Sequence, residues 1–482
     1  MAKNRTGQKN RKSNRRIKNY TAHAGLCAIA PVIEEKKVFE IIHQKVVIPQ
    51  KKKDYHPTDK LVFTVLGIMS GCSVIFDVNR IFRVDRALLR AFGYRKCADQ
   101  SVIQDTLNAA EEQNVIELES ALKEMWDEFN LAGSYLEKAQ SEGTIETIDM
   151  DLTGMPAGKQ AECSTKGYFS GEKNARGRQL ARIVFPKTQE IVAESLYPGN
   201  MTSCKTFKDM LQKMEDTFQL TDESQREHIR LRLDAGFGTD ENINYALWRG
   251  YQILVKMYSG NRARSLSGSV QEWIDVSPGT DNRPRQAGWV TKPHRYGRQT
   301  KQLAIRKPKK RGKGYEYSVI VGTDMSAGIE EMTSDYDGRS GVSESSFCQD
   351  NQGLGMKKRR KRGFVAQQML MLLTQLAHNL IRWTQSWMIT AVEQSKAELE
   401  SPVDVAEEPS EKADQPVVKT LKGYGMKRFV RQVFCLTGKI KIQEGKVSEV
   451  VIHPLHPLIR RIIIAFKALL KPYRISVSLG KI

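Results

Sequence analysis

The sequence has no Cys-x-x-Cys pair and no cysteine and histidine cluster at zinc-finger spacing, so neither a structural zinc site nor a disulfide framework is expected. Its seven cysteines, at 27, 72, 97, 163, 204, 348 and 435, stand singly and read as reduced thiols of a cytoplasmic protein. A phosphate-cradling P-loop, a Gly-x-Gly-x-x-Gly turn after a strand and a nucleophile elbow are also missing. Their absence removes nucleotide hydrolysis, dinucleotide redox chemistry and serine hydrolysis. Among eight histidines the one close pair is His453 and His456, whose neighbouring prolines predict a turn rather than a metal site. The longest uncharged stretch, Phe364 to Ile381, carries Gln367, Gln368, Thr374, Gln375, His378 and Asn379, and so predicts a buried amphipathic helix, not a membrane span. No compact apolar run follows the basic N-terminus, so no signal peptide is expected. The chain is also short of acid. Against 76 Lys and Arg it has 55 Asp and Glu, a formal charge of +21, which implies a polyanionic partner and nucleic acid foremost.

A length of 482 residues predicts two to four domains. Residues 1–55 read as a basic, largely disordered arm, with eight cations between Met1 and Lys18 and no acid before Glu34. Residues 56–140 read as a helical DNA-binding domain: Thr58 and Ser101 stand at capping positions, and Arg80, Arg83, Arg86 and Arg90 recur at helical spacing. Residues 141–258 and 331–390 form an α/β core, 259–330 a basic β-rich insertion and 391–418 an acidic linker. Residues 419–482, with a hairpin and an amphipathic helix over 459–470, predict a small α+β region without a legible role.

What is present is a pair of acid-tipped strands. In Thr147-Ile-Asp-Met-Asp-Leu-Thr-Gly154 the alternation sends Ile148, Met150 and Leu152 to one face and Asp149 and Asp151 to the other, about 6.6 Å apart, before a glycine that ends the strand. The same alternation in Ile229-Arg-Leu-Arg-Leu-Asp234 leaves a carboxylate at a strand end before Gly236 and Gly238. Glu344 completes the candidate set. Three hard oxygen donors suit a pair of divalent ions, which is what cutting and joining phosphodiesters requires. The bland reading of each strand taken alone is a solvated acidic face.

At these residues the chain resembles the DDE transposases of bacterial and archaeal insertion sequences, in the group marked by Tyr-x2-Arg-x3-Glu-x6-Lys. Thr147–Thr153 resembles the first-acid strand, Arg232–Gly238 the second-acid motif, and Tyr336, Arg339 and Glu344 the third. The resemblance implies a ribonuclease H-like catalytic core with a β insertion between the second and third acids, and the 110-residue gap from Asp234 to Glu344 fits it. It also implies catalytic and metal-binding roles for Asp151, Asp234 and Glu344, with Asp149 as a further ligand, and two Mg²⁺ ions that Mn²⁺ can replace. Tyr336, Arg339 and Lys357 would meet DNA, and Trp289 would stack on a flipped base. Two departures stand out. Four residues rather than three separate Arg339 from Glu344, and Asn351 occupies the lysine slot, where it can still donate a hydrogen bond to phosphate but carries no charge.

The activity so implied is cut-and-paste movement of an insertion sequence: metal-dependent hydrolysis of the 3′ strand at terminal inverted repeats, then strand transfer. The implied partners are the double-stranded DNA of transposon ends and target, bound by a homodimer on paired ends, with no membrane, in the nucleoid of a prokaryotic cytoplasm. An inactive or domesticated DNA-binding descendant and a ribonuclease H-like nuclease without strand transfer are the alternatives.

Overall fold

The computed structural model describes residues 19–52, 54–169, 175–279, 281–339, 341, 345–399, 415–454 and 458–480. They form two compact units, one of residues 130–348 and one of 1–129 together with 349–482.

The 130–348 unit is built on one sheet of ten strands: β1 (Glu146–Pro156), β2 (Thr165–Lys166), β3 (Arg176–Phe185), β4 (Glu190–Pro198), β5 (Ile229–Leu233), β6 (Gln252–Lys256), β7 (Ile274–Val276), β8 (Arg285–Trp289), β9 (Lys301–Pro308) and β10 (Tyr315–Gly322). Its centre runs β4-β3-β1-β5-β6, with β3 antiparallel to both β1 and β4, and with β5 and β6 parallel to β1. This is the α/β, ribonuclease H-like order. Parallel neighbours need a crossover, and the helix Asp240–Trp248 supplies the one between β5 and β6. The helix Ser203–Phe218 buries Phe207, Met210, Leu211 and Met214, as its apolar spacing predicts.

The insertion does not stand apart. Its strands β7 to β10 continue the same sheet, because β10 pairs antiparallel with β6, Val321 facing Val255. Leu254, Leu303, Ile305, Ile320 and Met332 share one apolar cluster across this junction, with Trp289 and Tyr336 packed on it. Nor does Gly154 end β1, which runs on to Pro156 by pairing with β3. The glycine is needed instead because the Phe169 ring passes where its Cβ would stand.

In the other unit the long helix Phe364–Leu399 buries Met369, Leu372, Leu373, Leu376, Leu380 and Trp383, packing against helices Pro57–Met69, Glu112–Phe129 and Ile459–Leu470. Residues 349–390 thus pack here, although they were expected in the catalytic core. A four-stranded sheet joins Tyr20–Thr21, Gly438–Gln443, Lys446–Ile452 and Ser476–Leu479, in that order, which bears out an α+β C-terminal region. The disordered arm expected over 1–55 fails beyond its start. Ala24–Glu35 and Val38–Lys45 are helices, because Ala24 to Ile33 is apolar enough to be buried almost throughout. The eight-cation segment 1–18 lies outside the described residues. The arginine stripe over 80–90 is not one helix. It breaks at Asp85, whose carboxylate caps the helix Arg86–Ala91 through the Leu88 amide, and Arg83 is paired with Asp99. The caps expected at Thr58 and Ser101 fall to His56 and Asp99.

Candidate active site

Parallel pairing aligns residues far apart in the chain. Met150 of β1 faces Leu233 of β5, so the next residues, Asp151 and Asp234, stand abreast, about 4.8 Å apart strand to strand. Leu233 in turn faces Val255 of β6, so the next residue there, Lys256, extends the row. Three side chains, two carboxylates and an ammonium, therefore share one level where the parallel pairing of β1, β5 and β6 stops, on the carboxyl side at which open α/β sheets bind ligands. Both acids are half-buried. Asp234 Oδ1 accepts the Gly236 amide at 2.8 Å. Gly238 has no room for a side chain because the Lys256 carbonyl lies 2.0 Å from where its Cβ would be. Burial pushes the Lys256 ammonium down, Lys307 and Arg339 push the same way, and Asp234 pulls it back up.

The helix Ile329–Arg339 lies against β5 and delivers Tyr336 and Arg339, one turn apart, to this edge. Arg339 Nη1 lies 3.4 Å from Asp151 Oδ2, and the guanidinium also hydrogen-bonds the Tyr336 phenol, whose burial raises its pKa. Asp149, on the same face of β1, is in a different state. It is fully buried, and Arg232 donates to both of its oxygens at 2.6 and 2.8 Å, while the Arg232 Nη1 donates to the Asp335 carbonyl at 2.6 Å. Gly338 leaves space for that guanidinium. With both oxygens engaged, Asp149 braces two strands and a helix.

The sequence matches the family described as transposase DDE domain group 1 over residues 7–401. The chain belongs to that family. No curated protein matches this transposase. Among solved structures it is similar to the "Cryo-EM structure of piggyBac transposase synaptic complex with hairpin DNA (SNHP)", with 13% identity, a TM-score of 0.36, and coverage of 89% of this chain and 96% of that one.

The transposase's other expected site residues are distributed as follows. Glu344 lies outside the described residues. Among those described no cluster of three Asp, Glu, His or Cys side chains converges, although the chemistry of Asp151 and Asp234, hard oxygen donors beside each other, fits a hard divalent cation. Trp289 is half-buried, with the Lys301 ammonium 4.2 Å over its ring. Trp273 and Tyr315 are both covered by Arg306, so the insertion's aromatics and cations are largely matched to each other. In the other unit, Asn351 Oδ1 accepts the Lys357 amide at 3.3 Å. The six-cation run from Lys357 to Arg362 is not all surface: Arg359 is 2% and Lys361 7% exposed. Arg359 donates to the carbonyls of Cys72, Ser73 and Leu354 and to Thr374 Oγ1, and burial lowers its pKa to about 10. Lys256 escaped the sequence reading. The signal was there, since it directly follows the apolar run Ile253–Val255, as Asp234 follows Leu233. No helix of the described residues is long and apolar enough to cross a membrane.

Proposed function

We propose that this member of the family is an active DNA transposase that cuts the 3′ strand at the terminal inverted repeats of its own element and joins it to target DNA. The observation that carries this reading is the parallel register that pairs Met150 with Leu233 and so brings the next residues, Asp151 and Asp234, side by side. These two, with Glu344, would hold two Mg²⁺ or Mn²⁺ ions, which activate water or a 3′-hydroxyl and stabilise the leaving oxygen of an in-line displacement. The protein's own cations do the rest. Lys256, at the same level, neutralises the scissile phosphate and offsets the charge missing at Asn351. Arg339, held by Tyr336, orients the Asp151 carboxylate and meets the adjoining phosphate. Trp289 stacks on a displaced base, Lys301 moving from its ring to the backbone. Lys357 and Asn351 add contacts to DNA held by a homodimer on paired ends. In the test, Asp151→Ala, Asp234→Ala and Glu344→Ala each abolish nicking of end-containing duplex with Mg²⁺ or Mn²⁺ while end binding persists. Near wild-type nicking by all three overturns the assignment, and nicked but never joined products favour a nuclease.

A further inference from the structure

The last 68 residues carry fourteen Lys and Arg against two acids, Glu444 and Glu449, a net +12 of the chain's +21. Nothing in the transposition chemistry above uses them. Within this stretch the segment Met426–Phe434 is helical, opening into a π-helix from Val430. Met426, Phe429, Val430, Val433 and Phe434 are buried, whereas Lys427, Arg428 and Arg431 all point outward and are exposed. The segment is fixed from behind. Gln349 Oε1 accepts both the Met426 amide at 3.2 Å and an Arg382 N–H at 3.0 Å. Gly353 allows the Lys427 backbone to pass where a Cβ would lie 2.6 Å from its nitrogen. Beside it runs a groove of about 320 Å³ lined by Gln349, Gln352, Lys427, Arg428, Arg431 and Gln432.

No acid lines this groove, and among the described residues none of its three cations has an ion-pair partner. Arg428 rests on the Tyr424 ring, 5.4 Å from its centre. Like charges gathered without counter-charge cost stability, and here no packing need explains them. No aromatic side chain lines the groove, so base stacking has no platform. Its cations and amide donors suit phosphate oxygens. We propose that this groove is a second DNA contact, gripping the sugar-phosphate backbone of a duplex without reading its sequence. The proposal rests on DNA being the partner.

The test is the salt dependence of binding of full-length protein to a short duplex of arbitrary sequence, since each phosphate contact contributes about 0.9 to the slope of log K against log salt. Lys427→Gln/Arg428→Gln/Arg431→Gln is expected to lower that slope by about two to three. Lys439→Gln/Lys441→Gln/Lys446→Gln, which removes equal charge from the neighbouring hairpin, should lower it by less than about one. An unchanged slope in the groove variant, or equal losses in both, overturns the proposal. So does displacement of the duplex by hairpin RNA of equal length at lower concentration. Wild-type protein that binds no duplex overturns instead the DNA reading on which the groove depends. Where the triple variant melts early, Arg431→Gln carries the test, with an expected loss of about one.

Discussion

Asp149 and Asp151 leave β1 on the same face, two residues apart, yet their surroundings differ in kind. Asp149 is sealed under the sheet's covering helix, with Arg232 on both oxygens. Asp151 is half-buried, stands one residue past the Met150–Leu233 pair and so beside Asp234, has Arg182 of β3 as its partner on the other flank, and is met by Arg339 at 3.4 Å. The first carboxylate is closed to solvent and matched by one buried guanidinium. Two carboxylates abreast where parallel pairing stops repel each other and lower their energy by sharing a cation. One step along a strand separates a strut from a site.

The largest effect that would break this contrast is on activity. Asp151→Ala or Asp234→Ala should lower strand cleavage roughly 10³-fold, worth several kcal/mol, with the melting temperature nearly unchanged. A fall in melting temperature that tracks the loss of cleavage would make the upper level structural too. The converse holds one level down: Asp149→Ala strands a buried guanidinium and should destabilise the protein by about 3–5 kcal/mol in denaturant unfolding. Asp149→Leu/Arg232→Met, which removes both charges, should recover much of that loss. An intermediate case sharpens the comparison. Lys256→Met removes a half-buried cation, so cleavage should drop roughly 10- to 100-fold with stability kept, and Lys256→Arg should retain part of the activity.

The smallest effect tests a matched pair that titrates. In the other unit His23 Nδ1 lies 2.9 Å from Asp85 Oδ2, and its Nε2 lies 3.1 Å from the Ser70 carbonyl. Burial pulls the imidazolium down, but the bonds to Asp85 and Cys435 outweigh it and raise the pKa to about 9. A pKa raised on folding contributes stability that is complete below the unfolded value of about 6.5 and is lost as pH rises through about 9. Melting should therefore shift to lower temperature between pH 6.5 and 9, and Asp85→Asn should flatten that slope. The Asp149–Arg232 pair, whose cation does not titrate in this range, should contribute none of it.

How much of this was legible follows from what acts locally. Period-two alternation marked β1 and β5 and the face that bears Asp149 and Asp151, because the pleat acts on neighbours in sequence, but not the continuation of β1 past Asp151 to Pro156, which comes from pairing with β3. That Asp149 belongs to Arg232 was not legible, since the pairing spans 83 residues and depends on register. The place of Lys256 was not legible either, since its level beside Asp234 is set by the register of β6 on β5. Six consecutive cations from Lys357 to Arg362 carry no local sign of which of them is buried, and Arg359 turns inward to carbonyls of a segment nearly 290 residues away in the chain. The helices over 24–45 were hidden by the basic tail before them, although their apolar residues carried the signal.

The backbone hydrogen bonds between β6 and β10 have a mechanical consequence. A module tethered by two loops would swing, but β7 to β10 are welded edge-on to the strand that bears Lys256. Turning them means tearing the ladder at Leu254, Val255 and Lys256. Trp289 therefore sits on a rigid outrigger, held through two further strands at a constant span from Asp151 and Asp234.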